Sequence, residues 1–466
     1  MNRRTFAAAL VVIIATAAYI HGQVRSVQGR ITDGAGAPVA GVAVELILDD
    51  KPQATATTDP DGIFRFDLVD LSQGPHGLRL ALPGQEVRTA RLTAETEREV
   101  LTIGGYTAEI RSSRPATAAP GRGGATASGA SHAIVPVFYA TDRNRISYAP
   151  VAYGGNREPS KQLHLGRIDV SIPRDHKMGQ LERPSFWTLW REDPNKHFVI
   201  VRGSELTYDA FYGGISEVVK ESRRKEAFVF VHGFNVTFES AVYRTAQIAY
   251  DLNFDGAPIL YSWPSVGQPT AYPVDLNNSD WTADRLHWFL EDVAARSGAN
   301  YVHVIAHSRG NGPTMTALKA IATEPRTHPL PRFSQIILTA PDVDADAFRL
   351  LARAFSTLGE RRTLYASGND EALGLSKRYQ GYQRAGDVKP EIVSLDGIDS
   401  IDVSAVDTSF LGHSYYGDNT SVISDIRRLL QTGSPPAARC GLEAVTDAVA
   451  RYWRFVARAI CPVHTP

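Results

Sequence analysis

The sequence predicts an α/β protein, a doubly wound and mostly parallel sheet, preceded by a small all-β sandwich. Three observations carry this. From about residue 227 short apolar runs alternate with helical patterns, which implies a parallel sheet covered on both faces. One such run, Tyr301-Val-His-Val-Ile-Ala-His307, stops abruptly at Ser308 and is followed by a helical pattern over residues 311–322. Residues 24–103 instead alternate apolar and polar at period two, broken by Asp33-Gly34, Asp61-Gly62 and Pro83-Gly84 turns.

Composition narrows the partners. A chain of 466 residues exceeds one ordinary domain, so two or three units are expected. Lys and Arg number 49 against 50 Asp and Glu, and without a basic excess a nucleic acid or an anionic membrane surface is a poor partner. The two cysteines, Cys440 and Cys461, are too few for a disulfide scaffold or a cysteine-rich metal site.

In chain order, Arg3 and Arg4 precede an apolar run over residues 6–20 in which Thr16 is the only polar side chain. A helix of that length spans about 22 Å, short of a bilayer core of about 30 Å, so residues 1–22 read as an export signal. Cleavage would leave a periplasmic or extracellular protein without a stable transmembrane anchor; an uncleaved anchor is the competing reading. Arg3-Arg4-Thr5-Phe6 also fits the core of a twin-arginine signal, and the export route stays open. Residues 23–105 form the sandwich. Residues 106–133, rich in Ala, Gly, Ser, Thr, Pro and Arg, have almost no large apolar side chain after Ile110 and read as a flexible linker.

Residues 134–432 form the candidate catalytic domain. Strands are expected at 165–172, 188–191, 197–201, 227–231, 258–263, 336–340, 363–367 and 401–406, and helices at 238–252 and 279–296. In residues 433–466 a stripe of Leu442, Val445, Val449, Tyr452, Val456 and Ile460 predicts an amphipathic helix. A continuous helix would hold Cys440 and Cys461 roughly 30 Å apart, against about 7 Å between the Cα atoms of a disulfide, so the two are expected not to bridge.

Catalytic groups in such sheets sit at the carboxyl ends of strands. A serine at a sharp strand-to-helix turn has its hydroxyl pushed above the sheet edge, and small residues two positions either side let strand and helix pack. Ser308, between Ala306 and Gly310, is the candidate nucleophile. Alanine replaces the first glycine of the usual Gly-x-Ser-x-Gly, one methyl more. A serine needs an imidazole to take its proton, and His413 after the last strand is the candidate base. A carboxylate must orient that imidazole. Asp370, after residues 363–367 and at the usual location, is the candidate acid, with Asp342, after the preceding strand, as the alternative, and the choice stays open. The turn His232-Gly-Phe234 suits the N–H of Phe234 to an oxyanion hole, with the N–H of Arg309 as second donor. His303, His307 and His232 fit packing or bracing roles, and Asp342 and Asp344 also fit caps of a helix near Asp346. Trp187, Trp190, Tyr208, Phe211 and Tyr212 are candidates for a cleft wall or, more simply, core.

Two resemblances add to this. Gly29-Arg-Ile-Thr-Asp33, Gly36-Ala-Pro-Val-Ala-Gly-Val42 and Thr58-Asp-Pro-Asp-Gly-Ile-Phe-Arg-Phe66 resemble the carboxypeptidase regulatory-like β-sandwich, which implies an accessory, non-catalytic role. Phe138-Tyr-Ala-Thr-Asp-Arg143, Val231-His-Gly-Phe-Asn-Val236, Tyr261-Ser-Trp-Pro-Ser265, Ala306-His-Ser-Arg-Gly-Asn311, Ala340-Pro-Asp-Val-Asp344, Ser367-Gly-Asn-Asp370 and Leu411-Gly-His-Ser414 resemble a bacterial family of α/β-hydrolases of largely undefined substrate. The resemblance implies a serine-hydrolase site needing neither cofactor nor metal. The expected function is an exported carboxylic ester hydrolase working through an acyl-serine, on a small-molecule ester or lipid-like substrate. The alternative is a non-catalytic surface or periplasmic binding protein that uses the β-sandwich, with the hydrolase fold as scaffold.

Overall fold

The computed structural model describes residues 24–456 except 49–50, 60, 71–75, 83–84, 86, 93–97, 114–131, 149–150, 184–191, 328, 406–419 and 447–450. The expected export signal, the strand expected at 188–191, Trp187, Trp190 and His413 therefore lie outside the described residues. The chain divides into two compact units near residue 125, with Arg145–Tyr153 grouped in the first. Among the described residues no helix is long and apolar enough to cross a membrane.

The first unit holds eight strands: β1 (Val24–Thr32), β2 (Ala43–Leu48), β3 (Lys51–Thr57), β4 (Ile63–Asp70), β5 (His76–Ala81), β6 (Arg88–Leu92), β7 (Arg98–Ile103) and β8 (Tyr106–Ser113). They pair antiparallel in two sheets, ordered β4-β1-β8-β7 and β3-β2-β5-β6. Period-two alternation turns Val27, Ile31, Val44, Leu46, Phe64, Phe66, Leu78 and Leu80 into one shared core. The Asp-rich turns close as their chemistry demands: Asp59 accepts from the amides of Asp61 and Ile63 at 2.9 Å each. Gly62 follows with φ +75°, where a Cβ would meet the Ile31 carbonyl at 2.4 Å.

The linker expected over 106–133 is corrected at its start. Residues 106–113 are β8, a strand paired to both β1 and β7. Ala108 and Ile110 alternate into the core, so two small or medium apolar residues at the right period suffice when pairing on both sides supplies the rest.

After β9 (His132–Thr141), the strands β10 (Arg143–Tyr148) and β11 (Val151–Arg157) pair with each other and include the described residues of Arg145–Tyr153, grouped in the first unit. The second unit carries β9, then β12 (His164–Pro173), β13 (Val199–Glu205), α1 (Tyr208–Glu221), β14 (Glu226–Val231), α2 (Phe238–Asp251), β15 (Ala257–Ser262), α3 (Tyr272–Arg296), β16 (Tyr301–His307), α4 (Asn311–Thr323), β17 (Gln335–Thr339), α5 (Ala345–Ala354), β18 (Arg361–Ala366), α6 (Glu371–Gln380), β19 (Asp399–Asp402), α7 (Thr420–Thr432), β20 (Leu442–Thr446) and β21 (Arg451–Phe455). Among the described residues its main sheet has eleven strands, in the order β13-β12-β9-β15-β14-β16-β17-β18-β19-β21-β20. The run from β9 to β21 is parallel, while β12, β13 and β20 pair antiparallel at the two ends. Every residue of β14, β15 and β17 is buried, as a strand covered on both faces requires. Helix α3 begins at Tyr272, seven residues before the sequence expectation, with Pro273 in its first turn where a missing N–H costs nothing.

Among the described residues, the C-terminal helix expected over 433–466 is not formed. Leu442–Thr446 and Arg451–Phe455 make an antiparallel hairpin, and β21 adds to the edge of the sheet beside β19. Aromatic side chains here favour a strand, and an open sheet edge offers backbone partners that a lone helix cannot use. The expectation that the cysteines stay apart falls with the helix: Cys440 is disulfide-bonded, and Cys461, outside the described residues, is the chain's only other cysteine.

Candidate active site

Strand β16 ends in Ser308, whose φ is +50°, and a single 3-10 turn, Ser308–Gly310, leads into α4. A non-glycine residue in that region is strained, and the packing around it is what holds the strain. A Cβ on Gly310 would lie 2.3 Å from the His232 carbonyl oxygen and 2.7 Å from that of Val231, so only glycine lets the turn lie against β14. A Cβ on Gly233 would lie 2.9 Å from the Ser308 Cβ, which puts the His232–Phe234 turn in contact with the serine. Ala306, two residues before, is fully buried.

The register brings the other candidates to the same edge. Val231 aligns with Ala306, His307 with Thr339, and Thr339 with Tyr365, so the turns after β14, β16, β17 and β18 leave the sheet together. Phe234 follows β14, Arg309 follows Ser308, and the Asp342 amide after β17 donates to the Ser308 carbonyl at 3.1 Å. Asp370 follows β18 and caps α6, accepting from the Leu373 amide at 3.0 Å. Ser308 thus touches both the Gly233 turn and Asp342, and Arg309 reaches the Asp342 carbonyl. Asp370 stands two strands over, and His413 lies outside the described residues.

The two acids differ in what they hold. Asp342, 3% exposed, accepts through Oδ1 from Ser376 Oγ at 2.5 Å and Arg384 Nε at 2.9 Å, and through Oδ2 from the Tyr272 hydroxyl at 2.7 Å. One carboxylate so ties the start of α3, the middle of α6 and the 384 loop together. It caps no helix; Asp344 does that, accepting from the amides of Asp346 and Ala347 at 3.0 Å. The Arg309 guanidinium is also engaged, with Ser279 Oγ at 2.7 Å, Asp280 at 2.9 Å and the Asp342 carbonyl at 3.4 Å.

Behind the oxyanion turn lies Arg143, a residue that sequence reasoning quoted without giving it a role. It is fully buried, and its donors reach Ser262 Oγ at 2.8 Å, the carbonyls of Gly154 at 3.1 Å, Ser265 at 2.7 Å and Val236 at 2.7 Å, and His232 Nε2 at 3.2 Å. Burial pulls its guanidinium down to about 9, with Asp275 and Asp142 opposing. Burial, with Arg143 beside it, drives His232 down to about 3. His232 is therefore neutral, its Nε2 accepting from Arg143 and its Nδ1–H donating to the Gly233 carbonyl at 2.8 Å, while its ring stacks on Trp263 at 5.1 Å. A histidine held this way braces the turn. Asp142, pushed up to about 6 by burial, sits beside Thr282 and Tyr261. The available signal for this network was an arginine and an aspartate closing an otherwise apolar strand, Phe138 to Arg143.

Residues 208–432 match the family described as "Alpha/beta hydrolase of unknown function (DUF900)", and residues 26–103 match the carboxypeptidase regulatory-like domain. The second unit thus contains an α/β-hydrolase domain similar to that family. No curated protein matches the chain. A carboxypeptidase regulatory-like β-sandwich followed by an α/β-hydrolase domain is thus the layout of this protein, and the hydrolase family's name assigns no substrate.

Proposed function

We propose that this α/β-hydrolase is a serine hydrolase that cleaves a carboxylic ester. Ser308 Oγ attacks the carbonyl carbon while His413 takes the hydroxyl proton. The developing oxyanion is met by the N–H groups of Phe234 and Arg309. His413 then gives the proton to the leaving alcohol as the C–O bond breaks, and water, deprotonated by the same imidazole, releases the acid from the acyl-enzyme. The observation that carries this reading is the strained turn at Ser308, with the Gly233 turn pressed against it: a folding chain gains nothing by placing a serine at φ +50°.

Asp370 is the proposed acid. Asp342 already accepts three hydrogen bonds, from Tyr272, Ser376 and Arg384, which supports a clamping role. Export to the periplasm or the medium is part of the proposal; the apolar stretch after Arg3 and Arg4 supports it, and a disulfide at Cys440 fits an oxidising compartment. The test is fluorophosphonate labelling together with turnover of short nitrophenyl esters by the full chain. Ser308→Ala and His413→Ala should each lose about a thousandfold or more in kcat, and Asp370→Asn a comparable factor. Undiminished turnover in Ser308→Ala ends the proposal, and loss in Asp342→Asn with Asp370→Asn unaffected transfers the acid to Asp342. A correctly folded protein that takes no label favours the binding-protein alternative.

A further inference from the structure

The oxyanion turn continues outward as a row of rings. Phe234 meets Tyr272 edge to face with centroids 4.9 Å apart, and Tyr272 meets Tyr379 in the same way at 5.6 Å. Phe234 is half-buried and follows Gly233, the residue packed on Ser308, and Tyr379 is 66% exposed, so the row leads from the turn beside the serine towards solvent. The hydroxyl of Tyr272 is bound by Asp342 and Ser376 and accepts from the Gln380 amide. Its ring is thereby fixed edge-on between its neighbours, and burial, with Asp342 beside it, lifts the phenol to about 12, so it stays uncharged.

Three cations on these same segments are paired, while Arg378 on α6, next to Tyr379, is exposed. Arg309 faces Asp280, Arg384 faces Asp342, and Lys377 Nζ binds Asp387 at 3.1 Å and the Lys389 carbonyl at 2.9 Å. An anionic substrate that drew on any of these three would have to break its pair. An apolar group gains ring contact without that cost.

We propose that the site takes a neutral ester whose apolar portion, an aromatic ring or a medium alkyl chain, lies along Phe234, Tyr272 and Tyr379. The inference rests on the serine-hydrolase reading and adds the substrate class to it. With centroid spacings of 4.9 and 5.6 Å the row is at most about 10 Å from first ring to last, room for a zigzag chain of up to about eight carbons joined by ~1.5 Å bonds.

A nitrophenyl ester series of acetyl, butyryl, octanoyl, benzoyl and succinyl groups tests this on the full chain, alongside Tyr379→Ala and Tyr379→Phe. Tyr379 is exposed, so its truncation should leave the fold standing. In the wild type kcat/KM should be higher for octanoyl and benzoyl than for acetyl, and higher for butyryl than for the charged succinyl. Tyr379→Ala should lower the octanoyl-to-acetyl ratio about tenfold, and Tyr379→Phe should keep it. A flat wild-type series, an unchanged ratio in Tyr379→Ala, or a succinyl preference would overturn the inference while Ser308 still takes the fluorophosphonate label. An unlabelled serine in folded protein would overturn the serine-hydrolase reading and the inference together.

Discussion

Replacing Arg143 by methionine isolates the contribution of the buried guanidinium to the site. Methionine fills much of the volume and donates nothing. Five acceptors lose their donor: Ser262 Oγ, His232 Nε2 and the carbonyls of Gly154, Ser265 and Val236. An unsatisfied buried acceptor costs about 1–3 kcal/mol, but neighbours relax and Ser262 still reaches His232, so the costs do not add in full. The removed charge also leaves buried Asp275 without its guanidinium. The expected destabilisation is about 3–5 kcal/mol, that of breaking a buried charged network from one side. Urea unfolding of Arg143→Met beside the wild type measures it. The fluorophosphonate labelling rate of the folded fraction should fall as well, because the released Val236 carbonyl and His232 ring hold the turn that carries Phe234. A midpoint shift worth less than about 1 kcal/mol, with an unchanged labelling rate, would refute the reasoning.

Other consequences follow from the same geometry. Gly310→Ala must push a methyl into the His232 and Val231 carbonyls, at a cost of about 1–3 kcal/mol by urea unfolding, and should slow labelling of Ser308 more than a core overpacking elsewhere. Asp342→Asn should cost about 3 kcal/mol or more, because Arg384 is left buried and unpaired, and a near-neutral result in urea would show that the clamp is redundant. Away from the site, burial pulls the His176 imidazole down, but its hydrogen bonds to Asp251 and Glu182 outweigh this and hold it up at about 9. Because that value lies above the ordinary 6.5, the stabilisation is fully present below about pH 6.5 and is lost as pH rises through about 9. Urea midpoints of wild type and His176→Gln should therefore converge on going from pH 6 to 10, and a constant gap would exclude the charged imidazole as the cause. Peptide mapping without reductant should find the Cys440 peptide joined to that of Cys461; two free thiols would overturn the pairing.

The sequence by itself determined what depends on neighbours along the chain. The period of apolar residues placed β14 to β18 and the helices between them, Asp59 and Gly62 announced their turn, and the small-x-Ser-x-Gly run at Ala306 to Gly310 marked the turn at Ser308. Each of these is a local matter of backbone angles and alternation. Tertiary structure decided the rest. Residues 106–113 read as linker, and 442–446 and 451–455 as helix, yet all became strands, because a sheet edge supplied partners that composition and spacing do not encode. Read from position alone, Asp370 was the candidate acid and Asp342, after the preceding strand, its alternative. They parted only when Tyr272, Ser376 and Arg384, lying 34 to 70 residues away, converged on one of them. Arg143 is the extreme case, with partners from 11 to 122 residues distant. A hydrogen bond's worth is set by how dry its surroundings are and by which groups arrive there together, and the order of residues along a chain records neither.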